Sequence, residues 1–383
     1  GGSCLCIGAQ NSDMLGAALH NGMLGNILEM DDVDKRAVLH AAPSIMPAAL
    51  AATQQYNRSP RAFLEAIISG YETTIRIGRA VGPGHYAYWH NTATCGVFGA
   101  AAAACVLIPG ADMVSALGLA GTQSSGLWQT RHEPQSMAKQ LHTAHAAHAG
   151  LLSAQLSARG FMGPRTILEG EQGFFAAMCP GANPKDVVAD MEGWAIHQTS
   201  TKPYPACRHT HSAIDAALAL YAHGIDISEP VSVETYSDAT KFCDRPNPQT
   251  VIEAKFSLQH VIAVVLQRGQ IGFDDFEQDA RDDKTTAGIR NRIQLTMAPD
   301  LERKYPAHYG SRVRVGEHMM TITDALGDPE NPMSEQEIIA KAKVLLQRGG
   351  LDARAAEMVC SATLALSEGG DMDDYVEALT WKA

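Results

Sequence analysis

No long hydrophobic run occurs in this chain. Its longest weakly polar segment, "CGVFGAAAAACVLIPG" (Cys95–Gly110), is too short and too small in side-chain volume to span a bilayer. Positive charge is scarce as well. Thirty Lys and Arg against 42 Asp and Glu leave a formal net charge of −12, which argues against nucleic acid or an anionic membrane as partner. Aromatic residues make up only 6% while alanine is abundant, favouring close-packed helices over a β-sandwich. Eight cysteines without a CxxC pair are no disulfide framework, so reduced thiols in a cytoplasmic compartment are expected. No basic stretch precedes an apolar one at the start, so no secretory signal is read there. The sequence has no GxxxxGK[ST] loop, no HExxH pair and no cysteine trio, and "GRAVGPG" follows a helical pattern rather than a strand. P-loop, dinucleotide, zincin and iron–sulfur chemistry are thereby excluded, and no cofactor and no metal are expected.

What is present is a soluble globular composition, 45% hydrophobic and 19% charged over 383 residues, long enough for two or three domains. The first half reads as helices. In "RAFLEAIISGYETTIRIGRAVG", Leu64, Ile68, Tyr71, Ile75 and Gly78 recur at the helical period. "GVFGAAAAACVL" and "AAHAGLLSAQLSARG" are alanine- and glycine-rich helices, and "HSAIDAALALYAHGID" continues the pattern. The character then changes. "VSVETY" and "RIQLTM" alternate at period two, and "SRVRVGEHMMTITDA" reads as two strands joined through Gly316. One helix, "FSLQHVIAVVLQRG", lies among them, and Ser334 with Glu337 opens the returning helices with a capping box. The expected architecture is α+β: a helical domain over 1–197, an inserted α+β lid over 198–328, and C-terminal helices over 329–383 that rejoin the first domain.

Several stretches carry candidate chemistry. The acidic cluster "EMDDVDKRAVLH" (Glu29–His40) follows a helix-like segment. Carboxylates at a helix C-terminus oppose its dipole, so either a solvated end or a functional use fits. In "GHYAYWHNTAT", His85 and His90 precede the alanine-rich helix, and His90 is either packed against Trp89 or facing an anion at the helix N-terminus. Ser136 and Lys139 match the serine–lysine acyl-transfer spacing, but its companion elements SDN and KTG are missing. His142, His145 and His148 step by three along a helix, so at most two of them share one metal. "TKPYPACRHTHSAID" (Thr201–Asp215) gathers Lys202, Tyr204, Cys207, Arg208, His209 and His211 at a chain bend. Two cations beside the histidines suit a polycarboxylate ligand better than a metal, and clefts at domain boundaries are common small-molecule sites.

Five stretches together resemble the MmgE/PrpD family of 2-methylcitrate dehydratases, cis-aconitate decarboxylases and iminodisuccinate epimerases. They are "AALHNGMLGNILEMDDVD…LHAAPS", "GYETTIRIGRAVG…WHNTATCGVFGAAAAA", "MAKQLHTAHAAHAGLLSAQLSARGFMGPRTILEG", "STKPYPACRHTHSAIDAAL" and "IEAKFSLQHVIA". They occur in family order and cover nearly the whole chain. The resemblance implies a helical domain built from both chain ends, a smaller α+β lid, a homodimer and a pocket between domains. It also implies that roughly 70 residues of the family pattern lie ahead of Gly1. The implied pocket residues are Asp31, Asp32, His40, His90, Lys139 and Lys202, with Cys207, Arg208 and His211 in the matching cleft stretch. The chain departs from the family in its acidic motif and in Ala41 and Ala42, where a proline often follows the histidine. It also carries Cys207 and His260 where the decarboxylating branch tends to have His and Tyr.

The implied chemistry is loss of a proton or CO₂ next to a carboxylate, through an enolate-like carbanion. Lys139, Lys202 and Arg208 are expected to hold the substrate carboxylates, with Tyr204 and Cys207 lining the site. His90 or His40 is expected to exchange the proton, oriented by Asp31 or Asp32, and His211 or Lys202 to protonate a leaving hydroxyl. A metal-free hydro-lyase like 2-methylcitrate dehydratase, acting on a small polycarboxylate, is the first expectation. Decarboxylase-like and epimerase-like activities are the alternatives within the family, and a zinc hydrolase using His209 and His211 the alternative outside it.

Overall fold

Residues Gly1–Thr199 and Ser334–Ala383 gather into one compact unit, and Ser200–Met333 into a second. The structure is a computed structural model, and it describes residues 2–133 and 135–380. The first unit is helical: α1 (Met14–Leu24), α2 (Ala42–Gln55), α3 (Pro60–Ala80), the one-turn α4 (Pro83–Tyr86), α5 (Asn91–Leu107), α6 (Met113–Gly121), α7 (Ala138–Ser157) and the short α8 (Phe174–Met178).

Small side chains set its geometry. A Cβ on Gly150 of α7 would lie 2.6 Å from the Val97 carbonyl oxygen and from Ala100 Cβ of α5. One on Gly99 of α5 would lie 2.7 Å from the Gly70 carbonyl oxygen of α3. Glycine at these crossings therefore lets three backbones approach as no larger residue would allow. Ala100, Ala101, Ala102, Ala103 and Ala104 are all fully buried. Residue 90 meets residue 142, and residues 97 to 101 meet residue 150, so α5 and α7 run in the same direction. Their N-terminal turns come together, and the positive ends of two helix dipoles meet there.

Capping fixes the ends. Ser59 caps α3, with Pro60 at its first position, as expected where the first N–H has no intrahelical partner. The buried stripe of α3 runs through Phe63, Ile67, Gly70, Tyr71, Thr74, Ile75 and Gly78. Tyr71, Ile75 and Gly78 lie on it as expected, whereas Leu64 and Ile68 are only half-buried. The chain also leaves α1 at Leu24 and turns before Glu29. The acidic cluster is thus not a helix end, and the expected dipole penalty does not arise.

The second unit holds α9 (His211–Ala222), β1 (Val231–Thr235), α10 (Ser237–Cys243), α11 (Val251–Lys255), α12 (Leu258–Arg268), α13 (Gln278–Asp282), α14 (Lys284–Arg290), β2 (Ile293–Met297), α15 (Pro299–Glu302), β3 (Ser311–Val315) and β4 (His318–Ile322). Its sheet has the order β2-β1-β3-β4. Strand β1 pairs parallel with β2, Val231 opposite Ile293, and antiparallel with β3, Val231 opposite Val315. Alternating burial along β1 turns Val231, Val233 and Thr235 inward. The β3–β4 hairpin turns through Gly316, whose φ of 55° favours glycine. Helix α12 runs from the Ser257 cap to the left-handed Gly269.

Helices α16 (Glu335–Arg348), α17 (Ala353–Ala365) and α18 (Met372–Leu379) belong again to the first unit. A full capping box of Ser334 and Glu337 opens α16. From that helix Lys341 Nζ donates to the Met30 carbonyl at 2.7 Å, tying the chain's end to the acidic loop. Among the described residues no helix is long and apolar enough to cross a membrane.

Candidate acid–base site

The helical unit brings the acidic loop against the paired N-terminal turns of α5 and α7. Two non-glycine residues in that loop have left-handed backbones, Glu29 (φ 58°) and Val38 (φ 51°). For a β-branched residue this is an outlier, costing on the order of 1–3 kcal/mol. Such strain is typical of loops held for a purpose, and these two residues bracket Asp31, Asp32 and the approach to His40.

His40 is fixed through one ring nitrogen. Its Nδ1 lies 3.0 Å from Asp31 Oδ2 and 2.7 Å from the Asp32 carbonyl oxygen. Both partners accept, so Nδ1 carries the hydrogen, and Nε2 of the neutral ring is left as the basic nitrogen. Asp31 Oδ2 also accepts from Asn26 Nδ2 at 2.5 Å, and the His40 backbone N–H donates to Thr92 Oγ1 at 3.0 Å. Asp32 turns the other way. It accepts from the Ala42 N–H at 3.0 Å and meets the Tyr71 hydroxyl. Burial, with the Asp31 charge beside it, pushes its carboxyl above the usual range.

His90 stands at the N-cap of α5 and is 1% exposed. Burial holds its imidazole well below the ordinary value, helped by the charges of Lys139, His142 and His40, while Asp31 works against them. Its ring packs on Trp128, centroids 4.4 Å apart. Nδ1 lies 3.3 Å from Nδ1 of His142. Nε2 is buried and has no hydrogen-bond partner among the described residues, and the same holds for Nε1 of the adjoining Trp128. Unmatched polar atoms on two rings that pack together mark a candidate ligand site.

Lys139, in the first turn of α7, forms an ion pair with the buried Glu29. A cation at a helix N-terminus opposes the dipole, and the carboxylate offsets it. Ser136 is exposed and bonded to Thr130 at 2.7 Å, which leaves no serine–lysine nucleophile. His85 is a satisfied core histidine, Nδ1 at 2.9 Å from the Met178 carbonyl and Nε2 at 2.8 Å from Thr94 Oγ1.

Lys202 of the second unit is 1% exposed. Its neighbours at the chain bend hold the 325–328 loop. Tyr204 donates to Asp215 Oδ1 at 2.6 Å, and Asp215 Oδ2 accepts the Leu326 N–H at 2.7 Å. Arg208 forms a buried ion pair with Asp328, which also accepts from Ser200 Oγ at 2.5 Å and from the Ala325 N–H at 3.1 Å. Arg208 donates to His211 Nδ1 at 2.9 Å. A guanidinium only donates, so the His211 hydrogen sits on Nε2, which faces the Ala206 carbonyl at 3.2 Å. The charge of Arg208 and both ring nitrogens of His211 are therefore engaged within the second unit. Cys207 bonds to the Cys243 thiol. His209 bonds to the Tyr236 hydroxyl at 2.7 Å and stacks on Phe242 and Tyr309, so His209 and His211 do not form the metal pair of the hydrolase alternative. The one metal-like grouping among the described residues is His308, Asp324 and Glu330.

The sequence did not single out Asn26 or Trp128, and read Tyr71 only as part of an apolar stripe. The Glu29–Lys139 pairing, 110 residues apart, has no local signal.

The helical unit thus carries a buried histidine–carboxylate cluster, and the second unit is α+β. The sequence matches the MmgE/PrpD N-terminal domain over residues 1–186 and the MmgE/PrpD C-terminal domain over residues 204–365. The chain belongs to the MmgE/PrpD family. The second match runs past the α+β unit into α16 and α17, because a contiguous stretch of sequence cannot follow a chain that returns to its first unit. Among curated relatives, the cis-aconitate decarboxylase-like protein oryM of Aspergillus oryzae is 25% identical over 95% of this chain and 82% of its own length. The cis-aconitate decarboxylase of Aspergillus terreus is 24% identical over 99% of this chain and 84% of its own. A 2-methylcitrate dehydratase of Escherichia coli O157:H7 is 23% identical over 51% of this chain and 42% of its own.

Proposed function

We propose that the protein is a lyase that removes CO₂ from a small cis-aconitate-like tricarboxylate through a carboxylate-stabilised carbanion. The observation that carries this is the buried, unpartnered Nε2 of His90 beside the Asp31–His40 pair. One nitrogen is presented to a ligand, and a second histidine is held in a defined tautomer. Departure of CO₂ leaves the C–C electron pair on carbon, and one proton delivered by His90 or His40 completes the product. The two helix N-termini supply positive potential for the charge that develops, with Lys139 held at the site by its pairing with Glu29. Lys202 is assigned to carboxylate binding, while Arg208, His211 and Tyr204 act as architecture.

Dehydration of a 2-methylcitrate-like acid is the second reading. It is supported by the dehydratase relative, whose match covers half the chain where the decarboxylases cover nearly all of it. Cys207 and His260 stand where the decarboxylating branch tends to have His and Tyr, so the substrate is named by class and not as cis-aconitate itself. The test is proton and carbon NMR of cis-aconitate, citrate, 2-methylcitrate and iminodisuccinate incubated in D₂O with the protein. CO₂ release with one solvent deuteron in the product supports the first reading, and alkene formation with loss of water the second. Inertness towards every acid, without even deuterium exchange, would refute both.

A further inference from the structure

We infer that His142 is a relay residue, passing a proton to and from His90, whose opposite nitrogen meets the substrate. This rests on the proposed function and goes beyond it by giving His90 a proton supply. The two Nδ1 atoms are 3.3 Å apart, so one hydrogen lies between them and one ring accepts what the other donates. His90 is 1% exposed, whereas His142 is only partly buried. The groups acting on His90 are Lys139, His142, His40 and Asp31, and His142 is itself held below its ordinary value, by burial first and then by His145 on the same helix. Burial first, and then Lys139, His142 and His40 against the Asp31 carboxylate, make a standing imidazolium at His90 unfavourable. A proton therefore has to pass through that ring without resting on it.

The step balances. Nε2–H of His90 protonates the substrate carbon while its Nδ1 takes the Nδ1 hydrogen of a protonated His142. His90 stays neutral and changes tautomer, and His142 ends neutral with its hydrogen on Nε2; the starting forms return when water in the emptied site protonates Nε2 of His90 and the Nδ1 hydrogen passes back to His142. The reverse sequence exports a proton taken from substrate.

The experiment compares wild type with His142→Gln, whose amide N–H still reaches His90 Nδ1 but cannot relay. The variant should lose ~10- to 100-fold in kcat with KM little changed, recover in part with added imidazole, and lose one limb of the kcat–pH profile. Wild-type turnover by the variant, or a loss that imidazole leaves untouched, would overturn the relay. A second arm does not need turnover. In ¹⁵N spectra of the imidazoles, the His90 signals should shift as His142 titrates, and that linked step should vanish in His142→Gln. Identical His90 titrations in both proteins would overturn the inference. If wild type converts no acid, the proposed function falls and this second arm alone decides the relay.

Discussion

Nδ1 of His40 lies 3.0 Å from the Asp31 carboxylate and 2.7 Å from the carbonyl of Asp32, so one short stretch of backbone fixes both the orientation and the tautomer of the ring. Replacing Asp31 with Asn keeps the shape but lets the amide donate, which rewards the wrong tautomer. Asp31→Asn should lower kcat by about 10²- to 10⁴-fold with a melting temperature close to wild type. Turnover assays beside circular-dichroism melts check this, and an unchanged kcat would remove His40 from the chemistry.

The buried histidines make stability depend on pH. His90 and His85 are held below their ordinary value chiefly by burial, and His260 is brought from 6.5 to about 4 by the same cause. Below pH 6.5 the unfolded chain binds protons that the native state refuses, so unfolding gains and stability falls as pH drops towards the folded values. The contribution of His260 is fully present above its unfolded value, is lost between about pH 6.5 and 4, and is on the order of 3 kcal/mol. Urea melts at pH 7, 6, 5 and 4.5 should show steadily lower midpoints, and His260→Gln should flatten the slope. A midpoint that rises on acidification would contradict the sign.

Much of the fold was legible because periodicity and capping are local. Ser334 with Glu337 announced α16, and the alternation in "VSVETY" announced β1. On the stripe of α3, Tyr71, Ile75 and Gly78 were read correctly, while Phe63 and Ile67 are buried in place of Leu64 and Ile68. For the candidate site, residue type marked His40, His90 and Lys139, but their partners could not be read. Glu29 and Lys139 are joined across 110 residues. Arg208 looked like an anion clamp because its counter-charge, Asp328, lies 120 residues away. Charge is visible in a sequence, and neutralisation is not.

The Arg208–Asp328 pair yields its own prediction. Both side chains are buried, 4% and 0% exposed, so removing one partner strands a charge. Asp328→Ala should destabilise the second unit by about 3–5 kcal/mol. The double variant Arg208→Met with Asp328→Leu should recover most of that loss, because apolar pairs replace buried ions without a desolvation cost. Retained turnover in the double variant would fit an architectural Arg208. A stable double variant devoid of turnover would return Arg208 to substrate binding.

Gly150 tests whether helix packing positions the histidines. An added Cβ would lie 2.6 Å from the Val97 carbonyl oxygen and 2.7 Å from the Ala101 nitrogen, and these are backbone atoms that cannot swing aside. Overpacking of this kind costs about 1–3 kcal/mol. The backbones of α5 and α7 must move apart, and they carry His90 and His142 with them. A hydrogen bond already at 3.3 Å has little length to spare. Gly150→Ala should therefore lower the melting temperature and also cut kcat, although residue 150 lies two turns along α7 from His142. Gly288→Ala in α14, where nothing lies within 4 Å, serves as the control for an added helical methyl without a clash. If Gly150→Ala melts early yet turns over at the wild-type rate, the α5–α7 contact supports the fold without setting the histidine pair.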